Sequence, residues 1–589
     1  MYLLYLLFSV SAVAASSLLN RNLAYRSPLS NVPQLAHDTS AIEKRHVQFA
    51  KRQMQDASDF VDEHYPTFYG ADFSNSPYVW SGGIDFTHSG TGDPYDTSVL
   101  LWTRAAPSSD SAAQPDQSVP VCVTYTISAS PDLSSPIDTG AAFTSYDVDF
   151  TLKVEATGLP PDSVLYYQFA DCTNAESASP VGSTRTLPSP DEVNGGEPLT
   201  LAVFSCSQYQ SGPLLQRLWC WQPKTSADFF VHLGDYIYES LGNGGPIGRE
   251  VTGRELATLA DYRERLAQYR TDASLLAAHQ HAPWITVWDD HEIADNAWKA
   301  GTADSNDTAA GCAFSASGAC FTDRKLAGVR AYHEWLPVRQ VAADDQLRIW
   351  RGFQFGKLLD LMMLDTRQYD RDVTDVYYNT EFIGGLASYA NRSLMGAQQE
   401  QCKCTISWLA DTLSQSQDRG AVWRVLGQQI DAWDGYTANR ARILNHINAS
   451  AIDNTIILSG DSHANWVSDL ACDYDPTTGA GALGVEFAGT AVTSGSSFGS
   501  DITPSAADAL SMVLVESNTA LQWSEGYYRG FFTLTVSPEW MNATYYAMEN
   551  ITYANVDGFS SANFTVRAGE NKLSRPVAGG DVRAGALKL

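Results

Sequence analysis

At 589 residues the chain exceeds what one ordinary hydrophobic core organises, which predicts two or more domains. Its hydrophobic content of 44% and aromatic content of 11% exclude a disordered or low-complexity protein. A formal charge of -29 excludes nucleic acid or an anionic membrane as the main partner, because the far field repels both. A small anionic ester stays admissible where cations offset the charge locally.

In chain order, "MYLLYLLFSVSAVAASS" opens with an apolar run too short to span a bilayer, followed by small residues. It reads as a secretory signal over residues 1–15, although no Lys or Arg precedes the run. Residues 16–75 form a polar, weakly patterned leader. Its dibasic pairs, Lys44-Arg45 and Lys51-Arg52, suit propeptide processing and an uncut basic leader equally well. No later segment is apolar enough to cross a membrane.

From 76 to 190, "TSVLLWTRAAP", "VPVCVTYTIS", "YDVDFTLKVEATGL" and "SVLYYQFADC" alternate apolar and polar residues between Gly, Pro, Asp and Ser breaks. That pattern predicts an N-terminal antiparallel β-sandwich domain. A Pro/Gly-rich linker closes it at 191–198. From 199 to 568 the rhythm changes, before a C-terminal tail at 569–589. "LTLAVFSC", "ADFFVHLGD", "PWITVWDDHE", "KLLDLMMLDTR", "AVWRVLGQQ" and "NTIILSGDSHANW" are compact apolar runs, with helical stretches such as "TLADYRERLAQYRTDASLLAAH" between some of them. The second domain is therefore α/β or α+β, built on buried strands.

Six Asn-x-Ser/Thr sequons, at Asn306, Asn391, Asn448, Asn542, Asn550 and Asn563, agree with an extracellular glycoprotein. Nine cysteines are an odd count, so an oxidising compartment leaves at least one thiol outside intrachain disulfides.

The apolar runs end in chemistry. They give Ser205-Cys206-Ser207, Gly234-Asp235-Tyr236-Ile237-Tyr238, Asp289-Asp290-His291-Glu292 with Asn296, and Gly460-Asp461-Ser462-His463. Each alone has a structural explanation: a small core thiol, a Gly-Asp turn, a helix cap. Together, several carboxylates converging at strand ends would repel one another and raise each other's pKa unless cations held them. Hard oxygens with imidazole and a thiol suit multivalent metal ions.

The order Gly-Asp-x-x-Tyr, Asp-His-Glu and Gly-x-x-His resembles the calcineurin-like metallophosphoesterases. Three features depart from the usual series of that group: Cys206 early, Asp290 in place of Asn, and Asp461 in place of a His. They resemble the alkaline phosphatase D (PhoD-like) branch, as do "GDYIYE", "WDDHE", "GDSHANW" and the early "GDPYDTSVLLWTR". The resemblance implies a metallophosphoesterase β-sandwich flanked by helices, following the N-terminal sandwich. It implies a hydrolase of phosphate monoesters, phosphodiesters or both that holds Fe³⁺ and Ca²⁺, a phenolate and a thiolate being suited to iron(III).

By the same resemblance Asp235 bridges the metals, with Cys206, Tyr238, Asp290, Asp461 and His463 as ligands and Asn296 as a calcium ligand. Asp289 is a ligand or a neighbour of one. His291 protonates the leaving group or only supports a ligand, and Arg367 holds phosphate or pairs with Asp365. Cys206 becomes the unpaired thiol, leaving eight cysteines for four bridges. Water activated by the metals would attack phosphorus, and the substrate would be a small phosphate ester. Two rivals remain: a thiol hydrolase using Cys206 with His291 or His463, and a non-catalytic glycoprotein that has kept the fold.

Overall fold

A computed structural model describes residues 21–42, 79–109, 119–192, 197–214, 227–341, 347–376, 378–401, 423–427, 433–499 and 501–588. The signal-like residues 1–15 and both dibasic pairs lie outside this set. The chain divides into two compact units. Among the described residues, no helix is long and apolar enough to cross a membrane.

The first unit runs to Thr186 and also takes in His279–Pro283 and Arg330–Gln346. Strands β1 (Ile84–Gly92), β2 (Ser98–Pro107) and β5 (Thr151–Thr157) pair antiparallel in the order β1-β2-β5. A second antiparallel sheet holds β3 (Val121–Ser128), β4 (Pro136–Thr144), β6 (Val164–Asp171), β7 (Asn174–Ala178) and β8 (Gly182–Arg185). Alternation sends every second residue inward. Val99, Leu101, Leu152 and Val154 from one sheet meet Val121, Val123, Ile127, Leu165 and Phe169 from the other in one core. The expected antiparallel sandwich is present, and a disulfide joins Cys122 to Cys172.

Part of the leader belongs to this unit. Asn22 is fully buried; its amide donates to the carbonyls of Phe143 (3.1 Å) and Thr151 (3.0 Å), and its carbonyl accepts from the N–H of Lys153 (3.1 Å). Tyr25 meets Ser145 at 2.6 Å, Leu29 is buried, and Arg330 donates to the carbonyl of Leu35 at 3.0 Å. Polarity misled the sequence reading here, because the polar groups of this segment bond inward to strand edges.

The second unit comprises Leu187–Ala278, Trp284–Val329 and Leu347–Leu589. Its first sheet runs β9 (Leu199–Phe204), β10 (Phe229–His232) and β11 (Pro283–Thr286) in parallel. Strands β19 (Arg529–Val536), β20 (Trp540–Met548) and β21 (Gly558–Arg567) extend it antiparallel from β9. In the second sheet β13 (Leu359–Met363), β14 (Trp423–Gly427), β15 (Thr455–Ser459) and β17 (Ala480–Ala488) are parallel neighbours. Antiparallel strands flank them: β12 (Arg351–Phe355) on one side, then β16 (Asn465–Asp475), β18 (Leu521–Glu525) and β22 (Ala586–Leu587) on the other.

Aromatic contacts close the space between these two sheets, with Phe229 against Phe355 (5.1 Å) and Trp523 against Tyr545 (5.0 Å). On the outer side of the second sheet, the helix Thr437–Ala449 buries Ile443, Leu444 and Ile447 against Met362, Ile457 and Leu470. The helix Leu259–Tyr269 starts at a capping box between Thr258 and Asp261. The runs "LTLAVFSC", "ADFFVHLGD", "PWITVWDDHE", "KLLDLMMLDTR" and "NTIILSGDSHANW" each supply a buried strand, so the expected helix-flanked sandwich holds.

Candidate metal centre

Parallel neighbours end at the same sheet edge, so the loops after β9, β10 and β11 emerge together. Cys206 follows β9, Asp235 follows β10, and Asp289 and Asp290 follow β11. In the facing sheet Arg367 follows β13 and Asp461 follows β15. Each chain turns sharply there. Cys206, Asp235, Asn296, Asp461 and His463 all take positive φ, between 53° and 65°. Such backbone is uncommon outside glycine and concentrates at functional sites. Gly234 is required by packing as well as by its φ of 117°, since a Cβ there would stand 2.6 Å from the Cβ of Asp289.

Three sets of side chains bring ligand-type atoms within 4.8 Å of one another: Cys206, Asp235 and His463; Asp235, Asp290 and His291; and Asp235, Asp289, Asp290 and Asp461. Asp235 belongs to all three. Tyr238 joins the first set, its hydroxyl 3.0 Å from Asp235 Oδ2, 3.2 Å from His463 Nε2 and 2.7 Å from Ser494 Oγ. Nδ1 of His463 donates to the carbonyl of Gly495 at 2.8 Å, which leaves Nε2 as the lone-pair nitrogen facing the cluster. Burial pushes His463 down to about 4, with Arg529 and His291 adding to the shift, so the ring is neutral.

The donors fit a metal ion. Asp235 Oδ1 is buried without a hydrogen-bond partner, an expensive state for a carboxylate. Burial drives the Asp235 carboxyl well above the usual range, with Asp290 and Asp289 adding to it while His291 opposes. Burial likewise raises the Tyr238 phenol, with Asp235 and Cys206 adding to it. The Cys206 thiol rises through burial, Asp235 and Asp461. A multivalent cation would reverse all three penalties by holding the anionic forms. Cys206 is the free thiol among the described cysteines and packs against Tyr238 and Ala491. So placed, it makes a poor nucleophile.

His291 and Arg367 have different surroundings. His291 Nδ1 lies 2.7 Å from Glu239 Oε2, and the ring rests 4.1 Å from that of Tyr238. Burial alone would lower His291, but Glu239, Asp290 and Asp235 raise it well above its ordinary value, which favours an imidazolium. Burial alone would raise Glu239, yet His291 and the N–H of Asp295 hold it low.

Arg367 is 1% exposed and grips Asp289 through Nε (2.8 Å) and Nη2 (3.3 Å), with Asp461 at 3.4 Å. Asp365 meets Arg367 through the backbone N–H of Arg367, which donates to Asp365 Oδ1. The same oxygen accepts from the N–H of Gln368, a loop-closing arrangement. Asp290 is held by the N–H groups of His291 (2.9 Å) and Asn296 (2.6 Å). The Asn296 side chain donates to Asp295 at 3.2 Å.

Glu239, Ser494 and Glu292 had no assigned role in the sequence reading. Glu292 accepts from the N–H groups of Tyr236 (2.6 Å) and Asp289 (2.7 Å), fastening two site loops together. Glu239 and Glu292 stand inside the quoted motifs, whereas Ser494 carried no signal at all. A second disulfide joins Cys312 and Cys320. Cys220, Cys402, Cys404 and the side chain of Cys472 lie outside the described residues, so two of the four expected bridges are seen and the other two fall outside that set.

The PhoD-like phosphatase family matches residues 201–545, and the N-terminal domain of PhoD-like phosphatases matches residues 81–188. Alkaline phosphatase D of Bacillus subtilis (strain 168) is 33% identical over 520 residues, covering 84% of this chain and 82% of the relative. A solved structure of PhoD superposes with a TM-score of 0.69 at 31% identity, covering 86% of this chain and 95% of the other. The chain therefore belongs to the PhoD-like phosphatase family and is a hydrolase of phosphoric ester bonds.

Proposed function

We propose that the protein is a secreted, metal-dependent phosphoesterase whose cluster around Asp235 holds Fe³⁺ and Ca²⁺. Its substrates are small phosphate monoesters, diesters or both. The observation that carries this reading is the buried, unpartnered Oδ1 of Asp235, shared by all three ligand sets. Cys206, Tyr238 and His463 would hold the softer, iron-type ion beside Asp235, while Asp289, Asp290, Asp461 and Asn296 would face the harder one. When bound, such ions supply the nucleophile by lowering the pKa of coordinated water and offset charge on the phosphoryl oxygens.

The chain's own groups do the rest. His291, held by Glu239, presents a proton to the departing ester oxygen. Arg367 fixes Asp289 and adds positive charge close to the phosphoryl position. Positioning and electrostatics suffice, because phosphoryl transfer asks little covalent chemistry of the protein. Secretion is supported by the signal-like start, the sequons and the two disulfides.

The test is turnover of a chromogenic monoester and the matching diester at alkaline pH by protein loaded with iron and Ca²⁺. Hydrolysis of either supports the reading, and the rate ratio assigns the ester class. Folded, fully metallated protein that cleaves neither would refute it.

A further inference from the structure

A cavity of about 350 Å³ opens on the outer face of the second sheet, past the end of the helix-covered strip. Glu486 of β17, Ser468 and Trp466 of β16 and Ser459 of β15 line it, with Arg440 of the helix Thr437–Ala449. Ser468 and Glu486 are directly paired across β16 and β17, so the carboxylate sits on the sheet surface beside two hydroxyls.

The charges in this cavity are incompletely satisfied. Glu486 accepts one hydrogen bond, from Ser459 Oγ at 2.8 Å, and burial raises its carboxyl despite the influence of Arg440. Among the described residues no side-chain hydrogen bond or ion pair engages Arg440, whose charge acts on Glu486. By contrast Asp469, on the same wall, is fully engaged by Arg575, Tyr474 and the N–H of Leu573. A half-buried carboxylate and a guanidinium facing one cavity, with Arg440 acting on Glu486 through its charge, form a site with two opposite poles.

We propose that this cavity is a second ligand site, taking a small zwitterion with its anionic end at Arg440 and its ammonium end at Glu486. A simple anion would meet Glu486 and a simple cation would meet Arg440; only a ligand carrying both charges satisfies both. Trp466 gives the ammonium end an aromatic face. That ring is already fixed, its Nε1 donating to Ser462 Oγ at 2.7 Å and its face tilted on Phe498 at 5.8 Å. The volume suits a molecule of amino-acid size.

The test is titration calorimetry on the full, metallated chain with glycine, β-alanine and γ-aminobutyrate, which step the charge separation. Acetate and methylamine serve as single-charge probes. The expected result is one zwitterion binding with Kd near or below ~1 mM. Arg440→Gln and Glu486→Gln should each weaken it about tenfold or more, with the melting temperature and phosphatase rate unchanged. Three results overturn the proposal: no zwitterion binding, single-charge probes binding equally well, or variants that bind like the parent. The readout is independent of turnover, so its failure leaves the metal centre unaffected.

Discussion

Asp235 carries the sharpest electrostatic conflict at the scale of single residues. It is 1% exposed, touches Tyr238 and stands among Asp289, Asp290 and Glu292, all of which raise its proton affinity or compete for cations. A bound cation relieves that conflict, so Asp235→Asn separates metal binding from folding. The variant is expected to lose about a thousandfold or more in kcat. Chelation should lower the melting temperature of the parent and leave Asp235→Asn unmoved, because only the parent loses ligand-linked stability. Scanning calorimetry with and without chelator checks this, and an equal drop in both would contradict it. Within the candidate site, Cys206, Asp235, Asp461 and His463 could be singled out because each follows an apolar run, and Tyr238 because it stands three residues after Asp235. Glu239 was quoted there without a role, and Ser494 was invisible. Their significance lies in contacts of 2.7 Å with residues 52 and 256 positions away, which no local pattern records.

At the scale of elements, the strand-end rule explains why the site was readable and why the leader was not. Buried parallel strands announce themselves as unbroken apolar runs, and their exits are fixed by topology. The segment around Asn22 has no such period. It docks through a buried amide bonded to two carbonyls and an N–H of the first unit, with Tyr25 and Leu29 packed beside it. Asn22→Ala would leave those strand groups unsatisfied in a dry environment. The expected cost is about 3 kcal/mol, measured by denaturant unfolding of the first unit's transition. A loss under about 0.5 kcal/mol would mean that water replaces the amide. Cutting the chain at an engineered protease site between residues 43 and 52 should leave the 21–42 segment bound under native conditions and release it in denaturant. Release under native conditions would contradict the packing of this segment.

For the whole molecule the governing quantity is the formal charge of -29. A dianionic monoester approaches against that field until it meets the cations of the site. Raising salt from about 10 to 200 mM shortens the screening length below the dimensions of the protein and should raise kcat/KM severalfold, with little change in kcat. A fall in kcat/KM over that range would mean that the local cation field dominates the approach. The fold class was legible because composition and period act over whole domains. The composition of the first unit was not, since it recruits His279–Pro283 and Arg330–Gln346 from far along the chain.

The account rests on a metal-held carboxylate cluster. Its most direct test is elemental analysis of the purified protein, with phosphatase activity followed through chelation and metal restoration. The account predicts at least one bound iron-type or calcium-type ion per chain, loss of activity as the ions leave, and recovery on their return. Full activity from folded, metal-free protein would contradict it.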